Sequence, residues 1–235
     1  MKIAATAVLP LLLLAAPPAA AQEGEGTHAS SGLDVNGSII LLSDYRFRGI
    51  SRSDGDPALQ GQLTVSLPNG PYAGVRGTTL KGLANRADAE LDLYAGYGAD
   101  LGAGTSLDAG LIYYSFPGAT GRAGYFEPYA SLSHTLGTVE ATAGAKYAWR
   151  QQAIAGADSL YLFGQVEVGI MATPLTLSAE AGRQSGGGPG GYWNWSLGGR
   201  YALGPLEAGL RYVDTDLPPR RGQRGGVVAS LALRF

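Results

Sequence analysis

The sequence predicts an all-β fold: a closed antiparallel transmembrane β-barrel of about twelve strands. Three observations predict it. Apolar and polar residues alternate from Leu33 onward, short and long connections alternate, and aromatic residues gather near strand ends. A period of two is the signal of a strand with one apolar and one polar face. Hydrophobic residues make up 45% of the chain, so it can fold, while charged residues make up 15%, below the roughly 25% of a typical soluble domain.

The first 21 residues have the pattern of a secretory signal peptide. Lys2 supplies the positive start, residues 3–16 are apolar, and residues 19–21 form a small-residue cleavage site. A membrane anchor is the alternative, but the stretch is short and broken by prolines. No later apolar run reaches the roughly 18 residues that suggest a transmembrane helix. We expect a signal peptide over 1–21, a flexible periplasmic lead over 22–32 and the barrel over 33–235.

Twelve segments show the alternation. The first runs from Leu33 through Phe47, and most are about 9–11 residues long, the length a tilted strand needs to cross a bilayer. The short connections are 68–71, 102–104, 136–137, 172–174 and 203–205, and the longer polar ones are 48–58, 80–87, 115–124, 150–159, 184–192 and 214–226. An even strand number with short periplasmic turns and longer extracellular loops is typical of outer-membrane barrels.

Aromatic residues indicate which face meets lipid. Alternation alone fits both a soluble barrel and a membrane barrel, because either one has an apolar and a polar face. On the apolar face, however, aromatic residues lie near strand ends and smaller residues lie between them. Those near the long loops are Tyr45, Phe47, Tyr113, Phe126, Tyr147, Trp149, Trp193, Trp195 and Tyr212, and those near the short turns are Tyr97, Tyr201 and Phe235. Two belts predict a membrane barrel, with a soluble β-sandwich as the alternative.

The polar face would then line the lumen. The candidate pore-lining residues are Asp44, Arg46, Arg48, Arg76, Asp88, Glu90, Asp92, Lys146, Glu167, Glu180, Arg200 and Arg211. Eleven acidic residues face seven basic ones on the whole predicted wall, which suggests a mild preference for cations. Asp44, Arg46 and Arg48 are candidates for a mouth or constriction, and a cluster of salt bridges at the rim is the alternative.

Several motifs resemble the TorF-type porin family. They are SDYRFRGIS at 43–51, PALQG at 57–61, YAG at 72–74, ELDLYAGY at 90–97 and LIYYSFPG at 111–118. The specific motifs lie in the first half of the chain, and Arg52 stands where the family pattern has Gln. The resemblance implies an outer-membrane β-barrel of a Gram-negative bacterium. Phe235 also resembles the assembly signal of such barrels, so we expect the barrel assembly machinery to recognise it.

The sequence offers little for other functions. It has no cysteine and only two histidines, His28 in the lead and His134 on the apolar face, so a Ser–His hydrolase or a metal cluster has no basis. The net charge of −2 leaves no basic footprint for nucleic acid. We expect no enzyme and no cofactor. The leading hypothesis is a passive channel for small solutes, surrounded by outer-membrane lipid, and the alternative is a non-conducting structural or adhesive barrel.

Overall fold

The computed structural model describes residues 32–82, 86–121, 123–154, 156–187 and 190–235. The predicted signal peptide lies outside these residues, as does the predicted lead except for residue 32. Within the described part of the chain, no helix is long and apolar enough to cross a membrane. The helical structure described is one 3-10 turn, Gln152–Ile154.

Twelve long strands pair in one closed antiparallel barrel, which confirms the predicted fold. In chain order, the elements are β1 (Asp34–Leu42), a two-residue hairpin of β2 (Arg46–Phe47) and β3 (Ile50–Ser51), β4 (Ala58–Ser66), β5 (Pro71–Thr79), β6 (Ala89–Gly102), β7 (Thr105–Ser115), β8 (Tyr125–Leu136), β9 (Val139–Ala148), β10 (Ser159–Gly169), β11 (Leu175–Gly186), β12 (Tyr192–Leu203), β13 (Leu206–Thr215) and β14 (Gly226–Arg234). Neighbouring barrel strands in sequence pair with each other, and β1 closes the barrel on β14.

The connections alternate in length as predicted. We call the side with the connections 67–70, 103–104, 137–138, 170–174 and 204–205 the turn end, and the opposite side the loop end. Ala103 and Gly104 both have positive φ, 51° and 76°, as a two-residue hairpin turn requires. One loop-end connection, 187–191, is shorter than expected because β11 continues to Gly186.

The outer surface is apolar and carries the two aromatic belts. Leucines in mid-strand, such as Leu93 and Leu162, are about half exposed there. Among the aromatic residues, Trp193 at the loop end and Tyr97 at the turn end are 50% and 52% exposed. His134 is exposed on this face, as its position in the alternation predicts. An apolar outer band between aromatic belts is the surface of a barrel that spans a membrane.

Inside the barrel, aromatic rings pack over glycines of the neighbouring strand. Gly110 lies directly opposite Tyr129, and Gly144 lies directly opposite Phe163. A Cβ atom on Gly110 would be 2.7 Å from the Tyr129 hydroxyl, and one on Gly144 would be 2.6 Å from the Phe163 ring. These inward glycines leave room for large rings against the wall, which accounts for part of the high glycine content.

The first predicted strand is too long. β1 ends at Leu42, and residues 43–57, called here the inward segment, fold into the barrel instead of continuing the wall. The prediction that Tyr45 and Phe47 belong to the outer belt is therefore wrong, since they are only 6% and 8% exposed. The chain reverses at Arg48 and Gly49, where φ is 50° and 84°, so the apparent alternation across this point belongs to a hairpin.

Candidate functional site: the barrel interior

Asp44 organises the inward segment from within. Its carboxylate accepts hydrogen bonds from Arg46 Nε at 2.6 Å, Ser51 Oγ at 2.5 Å and Ser53 Oγ at 3.0 Å. Charge-assisted hydrogen bonds of this kind are stronger than neutral ones. Asp44 therefore holds both sides of the β2–β3 hairpin in one compact unit.

Arg48 joins that unit to the far side of the barrel. Its Nη2 atom lies 2.7 Å from both oxygens of Glu127 on β8, and its Nη1 donates to Gln184 Oε1 on β11 at 2.7 Å. The guanidinium also lies over the rings of Phe47 and Tyr161, 4.7 and 4.3 Å from their centroids. Because Arg48 is only 4% exposed, these contacts form a brace buried within the lumen.

Arg52 forms a second brace, on the side of β6. It pairs with Glu90, and its guanidinium lies 3.7 Å from the centroid of Phe47. The Tyr45 hydroxyl donates to the same carboxylate at 2.6 Å. Arg52 lies in the predicted long connection 48–58, near the mouth, and is therefore not among the predicted pore-lining residues. The sequence feature that could have identified Arg52 as an interior residue is its closeness to Arg46 and Arg48, which also point inward.

Contacts between loops hold the inward segment at the loop end. Ser51 N donates to Gly222 O at 2.8 Å, and Arg46 Nη1 donates to Arg224 O at 2.7 Å. Two exposed ion pairs, Arg221 with Asp54 and Lys81 with Asp56, lie further out. The pKa of Lys81 is raised by its hydrogen bond to Asp56. Exposed pairs contribute little stability, so the buried braces are the main anchors of this segment.

The wall formed by β10 to β14 carries a series of ion pairs that we call the ladder. Arg200 makes two bonds to Glu167, Nη1 to Oε1 at 2.8 Å and Nη2 to Oε2 at 2.6 Å. Glu207 lies between two arginines, with Oε2 3.5 Å from Arg200 Nε and Oε1 2.8 Å from Arg234 Nη2. The ladder consists of Glu167, Arg200, Glu207 and Arg234, and its charges alternate in sign from β10 to β14.

A cavity of about 50 Å³ lies beside the ladder. Since one water needs roughly 10–15 Å³ on this scale, the space holds a few water molecules. Its polar lining includes Glu180 and Arg211 together with three ladder residues, Glu167, Arg200 and Glu207, and its small lining residues include Ser178, Ser196, Gly209 and Ser230. This cavity therefore lies on the wall that carries the alternating charges.

Eleven of the twelve predicted pore-lining residues lie inside the barrel. Asp44, Arg48, Arg76, Glu90, Asp92, Lys146 and Glu167 are buried there, and Arg46, Glu180, Arg200 and Arg211 are partly buried. Arg76 pairs with Asp92, with Nε 2.9 Å from Oδ2. The Lys146 ammonium lies 5.4 Å from the centroid of Phe163. Their role as the lining of a conducting pore remains a prediction.

Asp88 does not lie in the interior. It is exposed and precedes β6, which begins at Ala89. Its backbone instead joins two loops, because its carbonyl accepts from Leu80 N and its N–H donates to Pro117 O. The alternation continues through Asp88, Glu90 and Asp92, but the strand does not, so periodicity alone placed this residue incorrectly.

The interior charges are closer to balance than the sequence suggested. The described acids inside are Asp44, Glu90, Asp92, Asp108, Glu127, Glu140, Glu167, Glu180 and Glu207, and the bases are Arg46, Arg48, Arg52, Arg76, Lys146, Arg200, Arg211 and Arg234. Asp34 and Asp88 are exposed and Arg52 is inside, so nine acids face eight bases. In the described part of the chain, no group of three or more His, Cys, Asp or Glu residues is arranged to hold a metal ion.

An apolar outer surface and a charged interior define this chain as a membrane-spanning β-barrel. The chain belongs to a family described as bacterial protein of unknown function (Gcw_chp), whose model matches residues 26–230. No curated protein sequence matches it. The narrower resemblance to TorF-type porins remains a prediction.

Solved structures of porins and channels have similar folds. The KdgM porin superposes with a TM-score of 0.59 at 8% identity, covering 86% of this chain and 97% of that one. The NanC porin gives 0.57 at 15% identity, with coverages of 86% and 98%. An outer membrane channel from Pseudomonas putida F1 gives 0.54 at 12% identity, with coverages of 91% and 98%. These likenesses show that the barrel has the porin fold.

Proposed function

We propose that this protein is a passive diffusion channel for small solutes in the outer membrane of a Gram-negative bacterium. The observation that carries the proposal is the charged interior of a closed barrel whose outer surface is apolar. Buried ion pairs are costly to desolvate, and apolar side chains would stabilise a dry core equally well or better. Seventeen charged side chains inside the barrel therefore favour a lumen that contains water.

The structural neighbours support the same proposal. Two of them are called porins and a third is called an outer membrane channel, which favours transport over an enzymatic role for this chain. One neighbour was solved in complex with oligogalacturonate. For this chain, the balance of nine acids and eight bases favours a weak preference for cations at most, and the inward segment restricts passage to small solutes.

A non-conducting structural barrel is the second candidate. It is favoured by the two braces, because Arg48 and Arg52 hold the inward segment against β6, β8, β10 and β11. If this segment closes the lumen completely, the charges inside serve only to hold it there.

Single-channel conductance of the refolded chain in planar bilayers separates the two candidates. We expect discrete conductance steps from the unaltered protein. We expect larger steps from a double variant, Arg48→Ala with Glu127→Gln, because it releases one brace without leaving a buried carboxylate unpaired. Arg221→Ala is the matched control, since Arg221 is exposed and pairs only at the rim.

Folding must be verified in the same samples by heat-modifiable gel migration and β-type circular dichroism. Folded protein that gives no steps, with or without the brace, would contradict the channel and favour the structural barrel. Steps of equal size in both proteins would show that the inward segment is not the constriction.

A further inference from the structure

We infer that the cavity beside the ladder is a binding site for small zwitterionic solutes, which carry an ammonium and a carboxylate a few ångströms apart. The inference deepens the proposed channel function and, as a statement about a permeating solute, rests on it. It is carried by three observations: where this cavity lies, how the charges alternate along it, and which buried polar atoms there lack a hydrogen-bond partner among the described residues.

The interior is asymmetric in side-chain size. Large rings fill the side of β5–β8, where Tyr72, Tyr94, Tyr114, Tyr125 and Tyr129 point inward. On β11–β14 the corresponding inward positions include Ser178, Ser196, Gly209 and Ser230. The cavity beside the ladder therefore lies where the inward side chains are small.

The ladder offers both charges at neighbouring positions. Arg200 presents a guanidinium between the carboxylates of Glu167 and Glu207. Glu180 on β11 and Arg211 on β13 line the same cavity, so an acid and a base occur there a second time. An ammonium finds a carboxylate here within reach of a guanidinium that can receive the solute's own carboxylate.

Two buried atoms at the centre of the ladder have unused hydrogen-bonding capacity. Within the described residues, Glu207 Oε2 accepts no hydrogen bond and Arg200 Nε donates none, although they lie only 3.5 Å apart. Glu207 is 5% exposed. Buried polar atoms are normally satisfied, so one acceptor and one donor side by side match the two ends of a zwitterion.

Charge compensation explains why a zwitterion would be preferred to a simple ion. A lone anion that binds Arg200 leaves a buried carboxylate without its counter-charge. A lone cation that binds one of the carboxylates leaves the guanidinium without its counter-charge. Leaving one member of a buried pair without its partner is strongly unfavourable. A zwitterion offers a counter-charge to the carboxylate and to the guanidinium at the same time. Selectivity therefore arises because a simple ion leaves one of these two groups unpaired.

Calorimetric titration of the refolded chain in detergent tests this directly. The probes are four-carbon compounds of similar size: 4-aminobutyrate, butyrate, butylammonium and butyramide. We expect 4-aminobutyrate to bind about tenfold more tightly than any of the other three, since each of those lacks a charge that the site compensates. Equal or tighter binding of butyrate, butylammonium or butyramide would overturn the inference, as would the absence of binding by all four.

Three variants locate the site. Glu207→Gln removes the charge at the centre of the ladder, and Glu180→Gln removes one from a half-buried position where folding is less at risk; each should weaken 4-aminobutyrate binding about tenfold or more. Asp108→Asn removes a charge from β7, diametrically across the barrel from β13, and should leave binding unchanged. Equal effects of all three would mean that net charge, and not this site, determines binding.

Conductance in potassium chloride is measured on the same preparations. Zwitterion binding without conductance would contradict the proposed channel function but would still support the binding site. Conductance without preferential zwitterion binding would do the reverse, so the two failures can be told apart.

Discussion

At the scale of single residues, the inward glycines control how the wall is packed. Gly96 on β6 lies directly opposite Tyr72 on β5. A Cβ atom there would meet the Tyr72 hydroxyl and would lie 2.8 Å from the Ala109 carbonyl oxygen. Because the backbone oxygen cannot move aside easily, we expect Gly96→Ala to lower the free energy of unfolding by about 1–3 kcal/mol, as overpacking does. Urea unfolding in lipid vesicles measures this change.

Gly61→Ala is the matched control for this prediction. Gly61 is also in the middle of a strand, and a Cβ atom there would have nothing within 4 Å. The same chemical change should therefore leave stability unaltered or raise it slightly, because alanine loses less backbone entropy on folding. Equal losses at Gly96 and Gly61 would contradict the ring-over-glycine packing and indicate a general effect of alanine.

The alternation of residue types predicted most of the interior at this scale. Of the twelve candidate pore-lining residues, eleven lie inside the barrel, Glu90 and Arg200 among them, and Asp88 does not. The alternation did not identify Arg52 as an interior residue, and it placed Tyr45 on the outer belt, for a different reason. Periodicity describes which way a strand residue points, and neither residue is in a strand.

At the scale of elements, the closing seam between β1 and β14 is short. Five residue pairs join these strands, from Ser38–Arg234 to Leu42–Ser230, whereas nine pairs join β1 to β4. Phe235 extends the seam through two backbone hydrogen bonds with Gly37, of 2.7 and 3.0 Å. Its ring lies over Gly37, where a Cβ atom would be 2.5 Å from the ring. The aromatic ring thus covers a glycine at the last step of barrel closure.

We expect Phe235→Ala to reduce the fraction of chain that refolds spontaneously into lipid vesicles, read as the heat-modifiable gel band. Vesicles contain no assembly machinery, so the loss would come from the seam itself. Tyr201→Ala is the control, because Tyr201 is an exposed aromatic residue of the same belt but lies on β12, away from the seam. If both variants refold equally well and a defect appears only in cells, Phe235 acts through recognition by the barrel assembly machinery, as the sequence predicts.

The sequence predicted these elements well but not the inward segment. Strand number, turn positions and both belts follow from local patterns of about ten residues. The contacts that hold the inward segment connect Arg52 to Glu90 and Arg48 to Glu127 and Gln184, across 38, 79 and 136 positions. Nothing in the local pattern around 43–57 encodes those partners, and the same pattern would have fitted a longer first strand.

At the scale of the whole molecule, the near balance of interior charge makes ion preference sensitive to single substitutions. Glu140 suits a test because it is half-buried near the turn end and lies directly opposite Glu167 in the register of β9 and β10. Like charges in this position repel, so a lysine there would gain an attractive neighbour. Glu140→Lys would change the interior from an excess of one acid to an excess of one base.

We therefore expect the reversal potential in a potassium chloride gradient to change sign, from a weak preference for potassium in the unaltered protein to a weak preference for chloride in Glu140→Lys. Glu140→Gln, which leaves nine acids and eight bases as eight and eight, should fall between them. A graded series would show that the field of the interior charges selects the permeating ion. Identical reversal potentials in all three proteins would contradict that account, because each substitution changes the interior charge while leaving the exposed loops and both aromatic belts as they are.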